Sequence, residues 1–168
     1  MRVVACGLGG RGTLCSHPVA RALLVRLVAA AGFEVVEAEN GQDAWELLDA
    51  EDAPSVALLD WMMPGLEGTE ICRRVRASKR EYAYLILLTS RDAITDMVEG
   101  FSTGADDYMS KPYNQAELTA RLRCGERIVR LQHALRRKFI ELEAANTHVR
   151  ELQGLLPICM FCKKIRDK

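Results

Sequence analysis

Two short runs, VALLD (56–60) and YLILLT (84–89), are apolar at odd and even positions alike. Successive side chains of a strand point to opposite faces, so a run of this kind must be covered on both sides. Only a sheet clothed by helices above and below meets that demand, and the flanking sequence supplies them. Val19, Ala20, Leu23, Leu24, Leu27, Val28 and Ala31 recur at spacings of three and four, with Pro18 suited to the first turn and Gly32 to a left-handed stop. A second helical pattern runs roughly from Gln42 to Ala50. A third runs from Thr69 to about Ser78 with Ile71, Cys72 and Val75 inward, and a fourth from about Asp92 to Ser102. VVAC (3–6), FEVVEA (33–38) and the short DDYMSK (106–111) complete five alternating strand-helix units, the pattern of a doubly wound parallel α/β sheet. Two stretches compete for the first strand, Arg2–Cys6 and the glycine-bearing stretch before Cys15. Glycine weakens strands, so Arg2–Cys6 is the expectation.

Charge and cysteine usage narrow the function. Lys and Arg total 23 and Asp and Glu total 23, so no global basic field exists to collect nucleic acid or an anionic membrane. The apolar stretch Ala20 to Phe33 is interrupted by Arg21 and Arg26, and no leader pattern opens the chain, which points to a cytoplasmic protein. Gly7, Gly9 and Gly12 spell the glycine fingerprint of dinucleotide-binding folds. In that fingerprint the helix begins within the motif, whereas here Pro18, six residues past Gly12, marks the helix start. A dinucleotide site is therefore not expected. His17, His133 and His148 have no partners at ligand or triad spacing and read as structural or solvated.

Function in a doubly wound sheet gathers at the carboxyl ends of the strands. Asp60 closes VALLD, Thr89 closes YLILLT and Lys111 closes DDYMSK, which brings a carboxylate, a hydroxyl and an ammonium towards one crevice. A carboxylate can accept a phosphoryl group, an ammonium can pair with the added phosphate, and a hydroxyl can donate to one of its oxygens. The segments LLDWMMPGLEG (58–68), LLTSRD (87–92) and GADDYMSKPY (104–113), in this order and spacing, resemble the bacterial two-component response-regulator receiver domain over about residues 17–124. With the five alternating units they predict a (βα)5 sheet of strand order 2-1-3-4-5. The resemblance implies that Asp60 is the phosphoacceptor, Thr89 the switch hydroxyl and Lys111 the family's lysine. It also implies that Tyr108 is the aromatic that turns inward on activation. The partner it implies is a sensor histidine kinase or phosphotransfer protein, in a signalling role rather than an enzymatic one.

The chain departs from the resemblance at one place. Receivers resemble one another in holding Mg²⁺ with an acidic pair after the first strand. This sequence has no Asp or Glu before Glu34, and matching HPVARALLVRL (17–27) to the family's first helix puts Cys15 and Ser16 where that pair would be. Asp106 and Asp107 lie four to five residues before Lys111, about 13–17 Å away at the usual strand rise, at the wrong end. What remains for Mg²⁺ is the Asp60 carboxylate, the backbone carbonyl of Met62 as in the family, and water, a weak site. A pseudo-receiver, the same fold used as a constitutive protein-interaction module, is the rival reading.

Beyond Asn114 the helical pattern does not stop after one domain-sized helix. Ile128, Leu135, Leu142, Val149 and Leu156 recur every seven residues with Leu131, Lys138, Ala145 and Leu152 between them. This heptad predicts a helix to about Leu156 that pairs in parallel with a second copy, Lys138 being the flaw in the seam. The implied division is a receiver domain over 1–124, a coiled-coil extension over 125–156 and a tail over 157–168, with no output domain or DNA-binding motif. The tail carries Cys159 and Cys162 as C-x-x-C, and GLLPICMFCKKIRD resembles the start of a small cysteine-rich module found after receiver and sensor domains. One such pair supplies two of the four ligands structural zinc takes. The tail by itself therefore reads as a metal-free remnant, the alternative being that two chains in parallel close one intermolecular Zn²⁺ site.

Overall fold

Every residue of the two central strands is buried, which organises the rest of the chain around them. The computed structural model describes residues 1–6, 18–78, 80–89 and 102–155. Its strands are β1 (Arg2–Cys6), β2 (Glu34–Ala38), β3 (Val56–Asp60), β4 (Tyr84–Thr89) and β5 (Asp107–Ser110). They form one parallel sheet in the order β2-β1-β3-β4-β5, as expected from the sequence. Arg2–Cys6 is the first strand, paired with β2 on one side and β3 on the other. The helices are α1 (Pro18–Ala30), α2 (Gly41–Asp49), α3 (Gly68–Ala77) and a C-terminal helix (Gln115–Leu155).

Alternation along the strands sorts the core into two layers. Ala57, Leu59, Leu85 and Leu87 pack with Ala44 and Leu48 of α2 and Ile71, Cys72 and Val75 of α3. Val56, Leu58, Tyr84, Ile86 and Leu88 pack on the other face with Leu24 and Val28 of α1 and Leu118, Leu122 and Val129 of the C-terminal helix. Removing this much apolar surface from water, at roughly 25 cal/mol per Å², is the main stabilisation of such a sheet.

Local chemistry sets the helix ends within a residue of the sequence reading. Gly32 takes φ +89°, and the N–H of Phe33 returns to the Val28 carbonyl at 3.3 Å, closing α1 in a left-handed cap. Asn40 caps α2 by accepting from the Asp43 N–H at 3.0 Å. Asn114 does the same for the C-terminal helix, accepting from Ala116 N–H at 2.8 Å. One element of the α1 stripe departs from expectation. Leu23 is 53% exposed, because the inward face there is taken by the buried Leu24 and Val28, with Val25, Leu27 and Ala31 partly buried beside them. The fourth helical pattern, about 92–102, falls almost wholly outside the described residues, as do the glycine motif at 7–12, Cys15, Ser16, His17, Cys159 and Cys162.

The chain divides into two units, Met1–Arg130 and Leu131–Lys168. Among the described residues no helix is long and apolar enough to cross a membrane.

Gly125 brings the C-terminal helix close to the sheet. A Cβ there would lie 2.5 Å from Cδ1 of Tyr84, a core residue only 4% exposed. Gly125→Ala gains about 1 kcal/mol of helix propensity but overpacks the core at a cost of about 1–3 kcal/mol. The expected outcome is a net loss of about 1 kcal/mol in urea unfolding, recovered when Tyr84→Leu is added. A single variant more stable than the parent would show that the ring yields.

Candidate functional site

Parallel strands end together, so their last residues share one edge of the sheet. Asp60 is the last residue of β3 and stands beside Leu88, while Thr89 closes β4 beside Ser110. Lys111 follows directly, its N–H donating to the Thr89 carbonyl at 2.8 Å. From there the Lys111 ammonium reaches back across β4 and donates to Oδ2 of Asp60 at 2.8 Å. The two side chains are 6% and 10% exposed, so this is a buried ion pair rather than a surface one. Thr89 is buried beside them in the sheet order.

The loop after Asp60 is fixed by the backbone. Trp61 N–H donates to the Leu88 carbonyl at 2.8 Å, and Gly68 N–H returns to the Trp61 carbonyl at 3.2 Å. A Cβ on Gly68 would sit 2.3 Å from the Asp60 carbonyl oxygen, so only glycine lets α3 start this close to the strand end. Sequence reasoning passed over Gly68, although a glycine opening a helix eight residues past the acidic strand end is the available signal. Met62 is 55% exposed in this loop. Tyr108 is half-buried in β5 opposite Leu87 and packs against the core layer that α2 and α3 cover.

The other acids near Lys111 in sequence lie elsewhere. Asp106 accepts from Leu85 N–H at 2.7 Å and from the Tyr82 hydroxyl at 2.5 Å, and it also pairs with Arg76. Leu85 is the second residue of β4, so Asp106 belongs to the opposite end of the sheet, as the strand rise implies. Asp107 pairs with Arg121. Among the described residues no group of three or more His, Cys, Asp or Glu is placed to hold a metal ion. His133 and His148 belong to the C-terminal helix.

The model of the response regulator receiver domain matches residues 16–123. The chain belongs to this family. Over 145 residues it is 37% identical to the phosphate regulon transcriptional regulatory protein PhoB of Rhizobium meliloti, covering 76% of this chain and 63% of that protein. It is 41% identical over 111 residues to the transcriptional regulatory protein TcrA of Mycobacterium tuberculosis, covering 66% and 43%. The chain thus spans less than two thirds of the curated relatives it matches. Among solved structures, the BeF3-activated receiver domain of RstA from Klebsiella pneumoniae superposes with a TM-score of 0.63 at 29% identity, covering 74% of this chain and 97% of that one.

In this receiver domain the Asp60 carboxyl is held above its ordinary value of 3.8. Burial is the main cause, and the Lys111 ammonium and the N–H groups of Met62 and Trp61 oppose it without cancelling it. A carboxyl whose pKa is raised by folding binds its proton more tightly in the folded chain. Its contribution to stability is complete below 3.8 and is lost as pH rises through the folded value. Asn mimics the neutral form, so Asp60→Asn is expected to unfold at higher urea than the parent at pH 7, the margin shrinking as pH falls towards 3.8. A variant less stable than the parent at pH 7 would mean that the attraction to Lys111 outweighs burial.

Proposed function

We propose that this receiver accepts a phosphoryl group on Asp60 from a sensor histidine kinase or phosphotransfer protein in a two-component phosphorelay. The buried contact between Asp60 and Lys111 at the carboxyl edge of the sheet supports this reading above all else. An Asp60 oxygen forms the bond to phosphorus as the bond from phosphorus to the donor nitrogen breaks, leaving an acyl phosphate and the free donor. Lys111, already oriented at the carboxylate, pairs with the added charge, and Thr89 donates its hydroxyl to a phosphate oxygen. Tyr108, half-buried beside the same strand end, is the aromatic that turns further inward. The receiver acts as a signalling module rather than an enzyme, in the cytoplasm, through protein partners rather than nucleic acid or membrane, in keeping with its zero formal charge.

Magnesium support of this reaction is proposed to be weak. The described residues offer only Asp60 and the Met62 carbonyl, and the sequence holds no acid before Glu34. The missing acids are also the observation that favours a pseudo-receiver. We place the receiver over 1–124, a parallel coiled-coil homodimer over 125–156, and over 157–168 the start of a cysteine-rich module. There, Cys159 and Cys162 of two chains would together supply four thiolates to one zinc ion.

Incubation with a small phosphodonor is expected to give acid-labile phosphate that disappears in Asp60→Asn and falls sharply in Lys111→Met. No phosphate on the parent would leave the pseudo-receiver. Emission of Trp61, adjacent to Asp60, is expected to respond to Mg²⁺ only weakly, and more tightly once Cys15→Asp and Ser16→Asp restore carboxylates. Equal Mg²⁺ affinity in both would defeat the argument from the missing acids. Light scattering reports the dimer, and metal analysis of that dimer reports zinc at half an equivalent per chain, lost in Cys159→Ser.

A further inference from the structure

The second unit presents apolar side chains to solvent in a regular row. On the C-terminal helix Leu131, Leu135, Leu142 and Val149 are 64, 67, 68 and 49% exposed. Their spacing of four and seven keeps them on one face of the helix. Lys138 falls at the position in the middle of that row where the heptad calls for an apolar residue. Its ammonium is held by Glu141 on the same helix at 2.7 Å. Both side chains are mostly exposed, 74 and 61%, so within one chain the pair contributes little.

We infer that the row is covered by a second copy of this chain, and that Lys138, neutralised by Glu141, sets how weakly the two copies hold. The inference rests on the dimer reading above and deepens it. Self-pairing in parallel is favoured by what faces what across the seam. The flanking positions that meet are Ala134 with Phe139, Glu141 with Asn146, and His148 with Gln153, so no like charges oppose each other there. The repulsive layer is the one where two Lys138 ammonium groups meet. Glu141, facing the uncharged Asn146 of the other copy, has no cation to serve across the seam and stays with its own Lys138. Phe139, 59% exposed, borders the same layer and helps exclude water from it. A polar residue at a single seam position lowers coiled-coil stability while keeping its register. The pair therefore leaves an association that can form and dissociate rather than a permanent one.

Sedimentation equilibrium of the full chain over a range of concentrations tests this, using Lys138→Leu, Glu141→Gln and the double variant. All these substitutions lie on an exposed helix face. Lys138→Leu is expected to lower the dimer Kd at least tenfold. Glu141→Gln is expected to raise it several-fold in the parent and to leave it unchanged in the Lys138→Leu background, because its role is to neutralise Lys138. An unchanged Kd in Lys138→Leu overturns the inference. So does a Glu141→Gln effect that persists without Lys138. A parent that stays monomeric while Lys138→Leu dimerises supports the assignment of Lys138 and overturns only the dimer reading. If both are monomeric, both fall, and the row serves a different partner.

Discussion

Burial of β3 and β4 on both faces is the constraint from which the rest of this receiver follows. A strand pair with no solvent face needs helices on each side, and helices on both sides of a parallel sheet come from crossover connections. Crossovers of one sense return every strand in the same direction. All carboxyl ends then lie on one edge, and Asp60, Thr89 and Lys111 meet there although 51 residues separate the first from the last. The crevice is thus a consequence of core formation before it is a device for chemistry.

Two aspartates illustrate how position in that sheet changes what one side chain can do. Asp106 receives donors from Arg76, Tyr82 and the Leu85 backbone, while Arg76 also donates to the Gly104 and Ala83 carbonyls at 2.7 and 2.9 Å. Such a saturated carboxylate is structural. It ties α3 to the amino-terminal ends of β4 and β5. Asp60 at the opposite edge is buried with one ammonium and two backbone N–H groups, and the balance leaves its charged form less favoured than in water. The difference lies in burial, which at Asp60 outweighs its donors. Cys72 shows the inert extreme, its thiol pushed up to about 12 by burial under α3.

The helix that completes the first unit also opens the second. Up to Val129 its inward residues are held by the sheet, with Leu118, Leu122 and Val129 at most 2% exposed. After Arg130 the same periodicity continues with its apolar residues in water. Continuity of a 41-residue helix therefore does not depend on one kind of support. The first turns are stabilised by packing, and the later ones, within one chain, by helix propensity.

Much of this receiver is legible in the order of its residues. Strand positions, the helix stop at Gly32, the helix start near Asn114, and the strand-end residues Asp60, Thr89 and Lys111 follow from periodicities of two and 3.6 and from capping chemistry, all of which act within a few residues. The sheet order followed from the alternation of units together with the family motifs. Other features belong to the tertiary structure alone. Leu23 reads as core and lies in water, because which of two adjacent leucines faces inward depends on how α1 is rotated against the sheet. Gly68 and Gly125 drew no separate reading from the sequence, yet each is where a helix meets the Asp60 carbonyl or the Tyr84 ring. Asp106 reads as an acid at the far end of the last strand from Lys111, and the fold makes it a clamp to Arg76. In each case the deciding neighbour is far along the chain, and local spacing carries no information about a contact that only the folded sheet creates.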